Sequence, residues 1–346
     1  MAEWRSSDPT LLVHTSGSTG KPKPLWVEKR RMEASARITC QFLGLRPGDT
    51  ALLCLPVDYI AGKMMVVRAL AWGLRLVCVE PSGHPLASLS SSVDFAAMVP
   101  MQVYNSLQVE EERLRLRQIG HLIIGGGAVD DGLARQLKDF PNAVWSTYGM
   151  TETLSHIALR RLSGREASQW YTPFPSVSVT LTDDGCLAID APLVCESPLV
   201  THDVAELQQT PQATRFRILG RIDNVICSGG VKIQAEQVEQ ALKPYLDAPY
   251  CITHRKDSKF GEAVVLLTES SRLQEAEAIC RKVLPALWVP RYYVHADRIP
   301  LTGTGKIARK EAELMVFAHT CKHSCRSKRT LEPSADDLAS WPLPPQ

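Results

Sequence analysis

The stretch HTSGSTGKPKPLWV, residues 14–27, is built from Gly, Ser, Thr and Lys between Thr15 and Lys21 and then carries Lys23 between two prolines. Small residues let a backbone come close to a polyanion, hydroxyl and amide groups donate to phosphate oxygens, and Lys21 and Lys23 add positive charge. It is not a Walker loop. Gly17 and Gly20 lie too close for that spacing, and Pro22 stands where a magnesium-holding hydroxyl belongs. A flexible polar linker is the bland alternative, but linkers rarely follow an apolar strand such as TLLVHTS (10–16) so closely. The stretch reads as a phosphate-binding loop made by Thr15, Ser16, Gly17, Ser18, Thr19, Gly20, Lys21 and Lys23.

Outward from that loop, strands and helices alternate. A helix is predicted from Glu28 to Phe42 and another from Ala61 to Trp72, with strands at ALLCLP (51–56) and LRLVCVE (74–80). VDFAAMVP, HLIIGGG and AVWSTYG are further short apolar runs ending in Pro or Gly. Such runs with helical spacers predict a parallel sheet covered on both faces, whose ligands bind beyond the carboxyl ends of the strands. From Pro173 to Ile189 the pattern turns to alternation, and VSVTLTDDGCLAI predicts a hairpin in an antiparallel layer. Near Asp223 a small α+β unit begins, with helices from Ala235 to Leu242 and around Leu273 to Leu284. The fold class is therefore α/β: a large N-terminal domain (1–222) of layered mixed or parallel sheets with helices and an antiparallel subdomain, then a small α+β C-terminal domain (223–316). The basic and Pro-rich residues 317–346 predict a disordered tail.

Composition narrows the function. The 346 residues carry 39 Lys and Arg against 37 Asp and Glu, a net charge of +2, which gives no electrostatic reason for a nucleic-acid partner. No run approaches the ~18–20 apolar residues of a membrane span, and the opening residues are no secretory signal. Ten cysteines scattered singly predict reduced thiols and a cytoplasmic location. His319, Cys321, His323 and Cys325 alternate in HTCKHSC, but two-residue alternation is not a usual zinc spacing, and a solvated tail is the favoured reading.

Three further motifs follow in order: WSTYGMTET (145–153), GRIDNVICSGGVKIQAEQVE (220–239) and PLTGTGKIARKE (300–311). Together with the phosphate loop they resemble the adenylate-forming superfamily of acyl-CoA synthetases, adenylation domains and luciferases, over about residues 10 to 315. The resemblance implies ATP, magnesium and coenzyme A as cofactors and co-substrates. It implies that Tyr148, with Gly149 behind it, packs on adenine against a wall made by Gly125, Gly126, Gly127 and Ala128. It also makes Thr151 the hydroxyl at the α-phosphate and Glu152 the magnesium ligand, since a carboxylate beside a triphosphate needs a metal between them. Asp203 matches the residue that receives the ribose hydroxyls, with a solvated loop aspartate as its alternative, and Arg221 matches a second nucleotide contact. Lys306 matches the catalytic lysine that offsets repulsion as one anion attacks another. Asp223 matches a hinge that lets the small domain move. Gly229, Gly230 and Lys232 match the loop presented to the thiol.

Four residues bear on the acid. Asp58 supports an amino-acid substrate, whose ammonium it would receive, although its neighbours fit that motif poorly. Lys63, Arg68 and His156 favour a second carboxylate or a keto-acid, or else are solvated surface charges. DNVICSGGVKI and MTETLSH resemble o-succinylbenzoate–CoA ligases of menaquinone biosynthesis, which implies an aromatic dicarboxylate. Two alternatives stay open: an adenylation domain that loads a carrier protein, and a non-catalytic nucleotide-binding protein. Thirteen residues precede the HTSGSTGK stretch, whereas the family carries well over a hundred. Either the chain is naturally short or part of that domain is missing. A shortened sheet edge would need cover, so a homodimer is expected and light scattering tests it.

Overall fold

A computed structural model describes residues 2–14, 24–302 and 307–328. The chain divides into two compact units, Met1–Ile222 and Asp223–Gln346. In the first, strands Thr10–His14 and Pro24–Glu28 pair antiparallel from Thr10↔Glu28 to His14↔Pro24. Residues 15–23 join the two arms of this hairpin and lie outside the described residues. Alternation decides which way the hairpin faces: Leu11, Val13 and Val27 are buried, while Trp26 is exposed. The helix Lys29–Leu43 follows directly. Its buried positions Met32, Ser35, Ala36, Thr39, Cys40 and Leu43 recur at helical spacing, and Gly44 ends it in the left-handed conformation at φ 68°.

The main sheet has seven strands. In spatial order they are Arg75–Cys78, Thr50–Leu53, Phe95–Met98, His121–Ile124, Ala143–Gly149, His156–Arg161 and Thr172–Pro173. The first five run parallel and the last two pairings are antiparallel. The antiparallel edge makes the sheet mixed, within the mixed or parallel layers expected from the sequence. Only the turn 150–155 separates Gly149 from His156, too short for the crossover a parallel neighbour needs. A four-stranded antiparallel sheet follows, in the order Ser178–Leu181, Cys186–Asp190, Leu199–Gln209 and Thr214–Arg221.

Two cores hold this unit. One lies around the parallel strands and includes Leu52, Phe95, Met98, Leu122 and Val144. The other joins the hairpin (Leu11, Val13), both early helices (Met32, Met64, Val67), the turn residue Leu154 and the antiparallel sheet (Leu187, Ile189, Phe216). Each such side chain stabilises the fold by about 1.5–3 kcal/mol relative to leaving it in water. The second core thereby joins the elements that carry Arg68, Tyr148, His156, Asp203 and Arg221, while the 125–128 segment follows a strand of the first core.

The second unit is a five-stranded sheet with the path Val231–Gln234, Val225–Ser228, Gly261–Thr268 and Tyr250–Asp257, and Tyr292–His295 pairs parallel to Gly261–Thr268. Helices Ala235–Leu242, Leu273–Val283 and Arg309–Lys328 complete it. The last helix runs past residue 316, where the sequence predicts disorder. No Pro or Gly interrupts the chain between Lys306 and Lys328, so nothing local stops the helix there. Among the described residues no helix is long and apolar enough to cross a membrane.

Candidate active site

Strand register brings the 125–128 segment and the strand carrying Tyr148 side by side. His121–Ile124 and Ala143–Gly149 lie side by side in parallel, Ile124 opposite Ser146. Gly125, the next residue, therefore lies against Thr147, and Gly126 and Gly127 continue past Val99 and Pro100. At Gly125 a Cβ would stand 2.4 Å from Thr147 Oγ1, so a side chain there would force the Thr147 hydroxyl aside. Gly126 adopts φ 77°, a left-handed conformation. Gly127 is half-buried and Ala128 is exposed.

Tyr148 is fixed from several sides. Its ring meets Phe216 edge-on at 5.0 Å and Tyr171 at 5.8 Å, while Tyr171 stacks on Phe216 at 5.5 Å. Its hydroxyl donates to Asp203 Oδ2 at 2.6 Å. Burial, and then the Asp203 carboxylate, raise the phenol well above its ordinary range, so it remains a donor. Asp203 is also paired with Arg221, Nη1 to Oδ1 at 3.5 Å, because the two are register partners on adjacent strands. This places Tyr148, Asp203 and Arg221 in one cluster. Tyr171 and Phe216, which hold the tyrosine ring, were not legible in the sequence. Their alternation marks them only as sheet residues.

The turn after Tyr148 is tight. Thr151–Thr153 forms a single 3₁₀ turn, with Thr151 buried and Glu152 exposed. Thr153 Oγ1 accepts from the Met150 N–H at 2.9 Å and donates to the Ser155 carbonyl at 2.7 Å. Leu154 takes φ 65°, the one non-glycine residue in that region among those described. A buried Leu in this conformation is locally strained, and its burial in the second core over-determines it.

Beneath the turn lies a group that composition does not suggest. Arg68 is 2% exposed. Its Nη2 donates to Ser155 Oγ at 2.6 Å and its Nη1 reaches Met65 Sδ at 3.7 Å, while Nε has no partner. No carboxylate among the described residues pairs with it. Burial pulls its pKa down to about 10, which still leaves a cation at neutral pH. His156 is buried beside it, its ring nitrogens meeting Thr39 Oγ1 and Ser155 Oγ, each at 3.2 Å. Burial, and then the Arg68 charge, hold this imidazole neutral, well below its ordinary value. Thr39 and Ser155 complete the cluster and carry no distinguishing signal in the sequence, since hydroxyl residues are common and their pairing is long-range.

The other two acyl-side candidates lie elsewhere. Lys63 is half-buried and its Nζ donates to the Leu12 carbonyl at 3.0 Å, tying its helix to the hairpin arm. Asp58 is exposed.

In the second unit Asp223 is exposed within the short turn Ile222–Asn224. Gly229 and Gly230, at φ 59° and 81°, make the turn between two paired strands, and the exposed Lys232 sits opposite Cys227. Lys306, like residues 15–23, lies outside the described residues, as do the side chains of His319, Cys321, His323 and Cys325. Among the described residues no group of three or more His, Cys, Asp or Glu side chains suits a metal. A single carboxylate such as Glu152 still fits magnesium, because that ion takes one or two carboxylates and completes its shell with phosphate oxygens and water.

Glycines, a clamped aromatic ring and a carboxylate lie just beyond the carboxyl ends of parallel strands, where α/β enzymes of this architecture bind nucleotides. The family model described as AMP-binding enzyme matches residues 1–190, and the chain belongs to that family. It is 35% identical to a solved acyl-CoA synthetase (AMP-forming)/AMP-acid ligase II-like protein from Dyadobacter fermentans, over 90% of each chain, with a TM-score of 0.61. It is similar to the 2-succinylbenzoate–CoA ligase of Bacillus cereus, at 23% identity over 91% of this chain and 71% of that protein. The fold is also that of an O-succinylbenzoate coenzyme A synthetase from Bacillus subtilis solved with ATP and magnesium ion, at 22% identity and a TM-score of 0.71 over 86% and 68% of the chains.

Proposed function

We propose that the chain is an AMP-forming acid–thiol ligase acting on an aromatic dicarboxylate, o-succinylbenzoate, in menaquinone biosynthesis. It uses ATP, magnesium and coenzyme A. The acid's carboxylate oxygen attacks the α-phosphorus of ATP, forming an acyl-adenylate and releasing pyrophosphate. The thiolate of coenzyme A then attacks the acyl carbon, the C–O bond to AMP breaks, and the thioester leaves.

Each residue has a task in this reading. The hairpin connection 15–23 takes the triphosphate. Tyr148 and the 125–128 segment bracket the adenine. Asp203, already gripped by Tyr148 and Arg221, keeps acceptor capacity for two ribose hydroxyls. Thr151 donates to the α-phosphate, and Glu152 holds magnesium, which when bound neutralises phosphate charge. Lys306 stabilises the charge that develops as the two anions meet. Gly229, Gly230 and Lys232 face the thiol, and Asp223 is the hinge. The cytoplasm suits such an enzyme; Cys40, Cys54 and Cys251 are all free thiols.

The observation that carries the dicarboxylate is Arg68: a buried cation with an unmade hydrogen bond and no carboxylate partner among the described residues. An unpaired buried charge is costly, and a substrate carboxylate offsets that cost on arrival. The exposed Asp58 offers no comparable burial for an ammonium group.

Pyrophosphate release with o-succinylbenzoate, benzoate, succinate and amino acids, each with free coenzyme A, is the test. O-succinylbenzoate is expected to be turned over best. Arg68→Met should raise its KM roughly 10–100-fold while leaving benzoate turnover unchanged. The same variant should melt no lower than the parent, since a buried unpaired charge has been removed. Preference for an amino acid, or an Arg68→Met enzyme with unaltered discrimination, contradicts the reading.

A further inference from the structure

Three residues after Lys306, the first residue of the last helix makes an arrangement that its position alone does not explain. Arg309 opens the helix Arg309–Lys328, where a cation opposes the helix dipole. Yet it is held on three sides. Its Nη1 donates to Glu239 Oε1 at 2.9 Å and to the Ile252 carbonyl at 3.0 Å, and its Nη2 donates to Glu239 Oε2 at 2.8 Å. Such a two-pronged guanidinium–carboxylate pair fixes direction as well as distance. Glu239 is itself immobilised, because Oε1 also accepts from the Ile252 N–H at 2.8 Å.

The chain just before Arg309 is pinned at the same place. Leu301 and Ile307 form an isolated antiparallel bridge. The Ala308 N–H donates to the Pro300 carbonyl at 2.9 Å. Pro300 and Leu301 are therefore held against Ile307 and Ala308, and Arg309 bolts this paired stem to the helix Ala235–Leu242 and the strand Tyr250–Asp257. A second carboxylate extends the network. Glu236 Oε1 lies 3.6 Å from Arg309 Nη2, and the same oxygen accepts from Asn224 Nδ2, in the turn that holds Asp223.

We infer that Arg309, gripped by Glu239, is a positioning residue for the first half-reaction: it fixes the stem from which Lys306 is presented to the reacting acid. The inference rests on the proposed role of Lys306. A lysine on a long flexible stem contributes its charge usefully only if the backbone beneath it is held, and a displacement of about 1 Å costs up to roughly 100-fold in rate. Lys cannot replace Arg here, because a single ammonium reproduces neither the fork nor the carbonyl contact.

The test uses the full chain with Arg309→Gln, Arg309→Lys, Glu239→Gln, Lys306→Ala and the double variant Lys306→Ala/Arg309→Gln. Two reactions are measured: pyrophosphate release from acid and ATP, and thioester formation from supplied acyl-adenylate and coenzyme A. Arg309→Gln and Glu239→Gln should lower kcat for pyrophosphate release by roughly 30–100-fold with the KM for ATP and acid little changed. Thioester formation should stay within about threefold, and Arg309→Lys should recover only part of the loss. In the Lys306→Ala background Arg309→Gln should cost nothing further, since it acts through a group already gone. Equal loss in both reactions, a further loss in the Lys306→Ala background, or no loss at all overturns the inference. The two readings separate cleanly. If Lys306→Ala slows pyrophosphate release and Arg309→Gln does not, only the positioning role fails. If Lys306→Ala leaves it untouched, the role of Lys306 fails as well.

Discussion

His156 sits between two hydroxyls and against a buried guanidinium, and that surrounding has a thermodynamic signature. Its folded value lies well below the ordinary 6.5. Below that pH the unfolded chain binds a proton at residue 156 that the folded chain refuses. Stability is therefore intact above about pH 6.5 and falls as the pH drops, by up to ~1.4 kcal/mol per unit from this group. Urea midpoints between pH 5 and 8 should show this slope in the parent and a shallower one in His156→Gln; identical slopes would contradict it. The same pocket shows what residue-level reading of sequence achieves. Arg68 and His156 stand out as basic groups because of their type and their places, on the helix of the acyl region and just past the Glu152 motif. Their burial, and the neutral state of the imidazole, depend on Thr39 and Ser155, which approach through the fold rather than along the chain. Asp58 is the reverse case: its position in the motif draws notice, and the fold leaves it in water.

At the scale of elements, the turn from Gly149 to His156 is where packing tolerances are smallest. A Cβ on Gly149 would lie 2.3 Å from the Ser155 carbonyl oxygen and 2.5 Å from His156 Cα, both backbone atoms that cannot rotate away. Gly149→Ala is expected to cost about 1–3 kcal/mol and to slow pyrophosphate release, because the shift falls on Thr151 and Glu152. Gly164→Ala is the control. It combines a left-handed φ of 74° with open space around it, so backbone strain alone should cost about 1–2 kcal/mol and leave turnover alone. Denaturation midpoints and initial rates decide between them. The parallel strands were legible because each is a short apolar run closed by Gly or Pro. The return arm of the first hairpin was not, since PLWVE begins with Pro and follows two lysines, and only pairing with TLLVH makes it a strand. The last helix outran its expected end because a basic, polar composition suggests disorder even where no residue breaks the helix.

At the scale of the whole molecule, the candidate residues run from Thr15 to Lys306 and fall in both compact units, Met1–Ile222 and Asp223–Gln346. That spread is why motif order was informative: four separated segments in one sequence constrain the chemistry more than any one of them. The net charge of +2 offers no strong long-range field, so nucleotide binding must be local, through the hairpin connection, the Tyr148 wall and Asp203. It follows that ATP affinity should depend only weakly on salt compared with a protein that relies on a basic surface. The account's central claim is that an oxygen of the acid attacks the α-phosphorus. Turnover of ¹⁸O-labelled o-succinylbenzoate with ATP and coenzyme A, with the products read by mass spectrometry, tests it most directly. One labelled oxygen should appear in AMP and none in pyrophosphate. Unlabelled AMP, or label in pyrophosphate, would contradict the account.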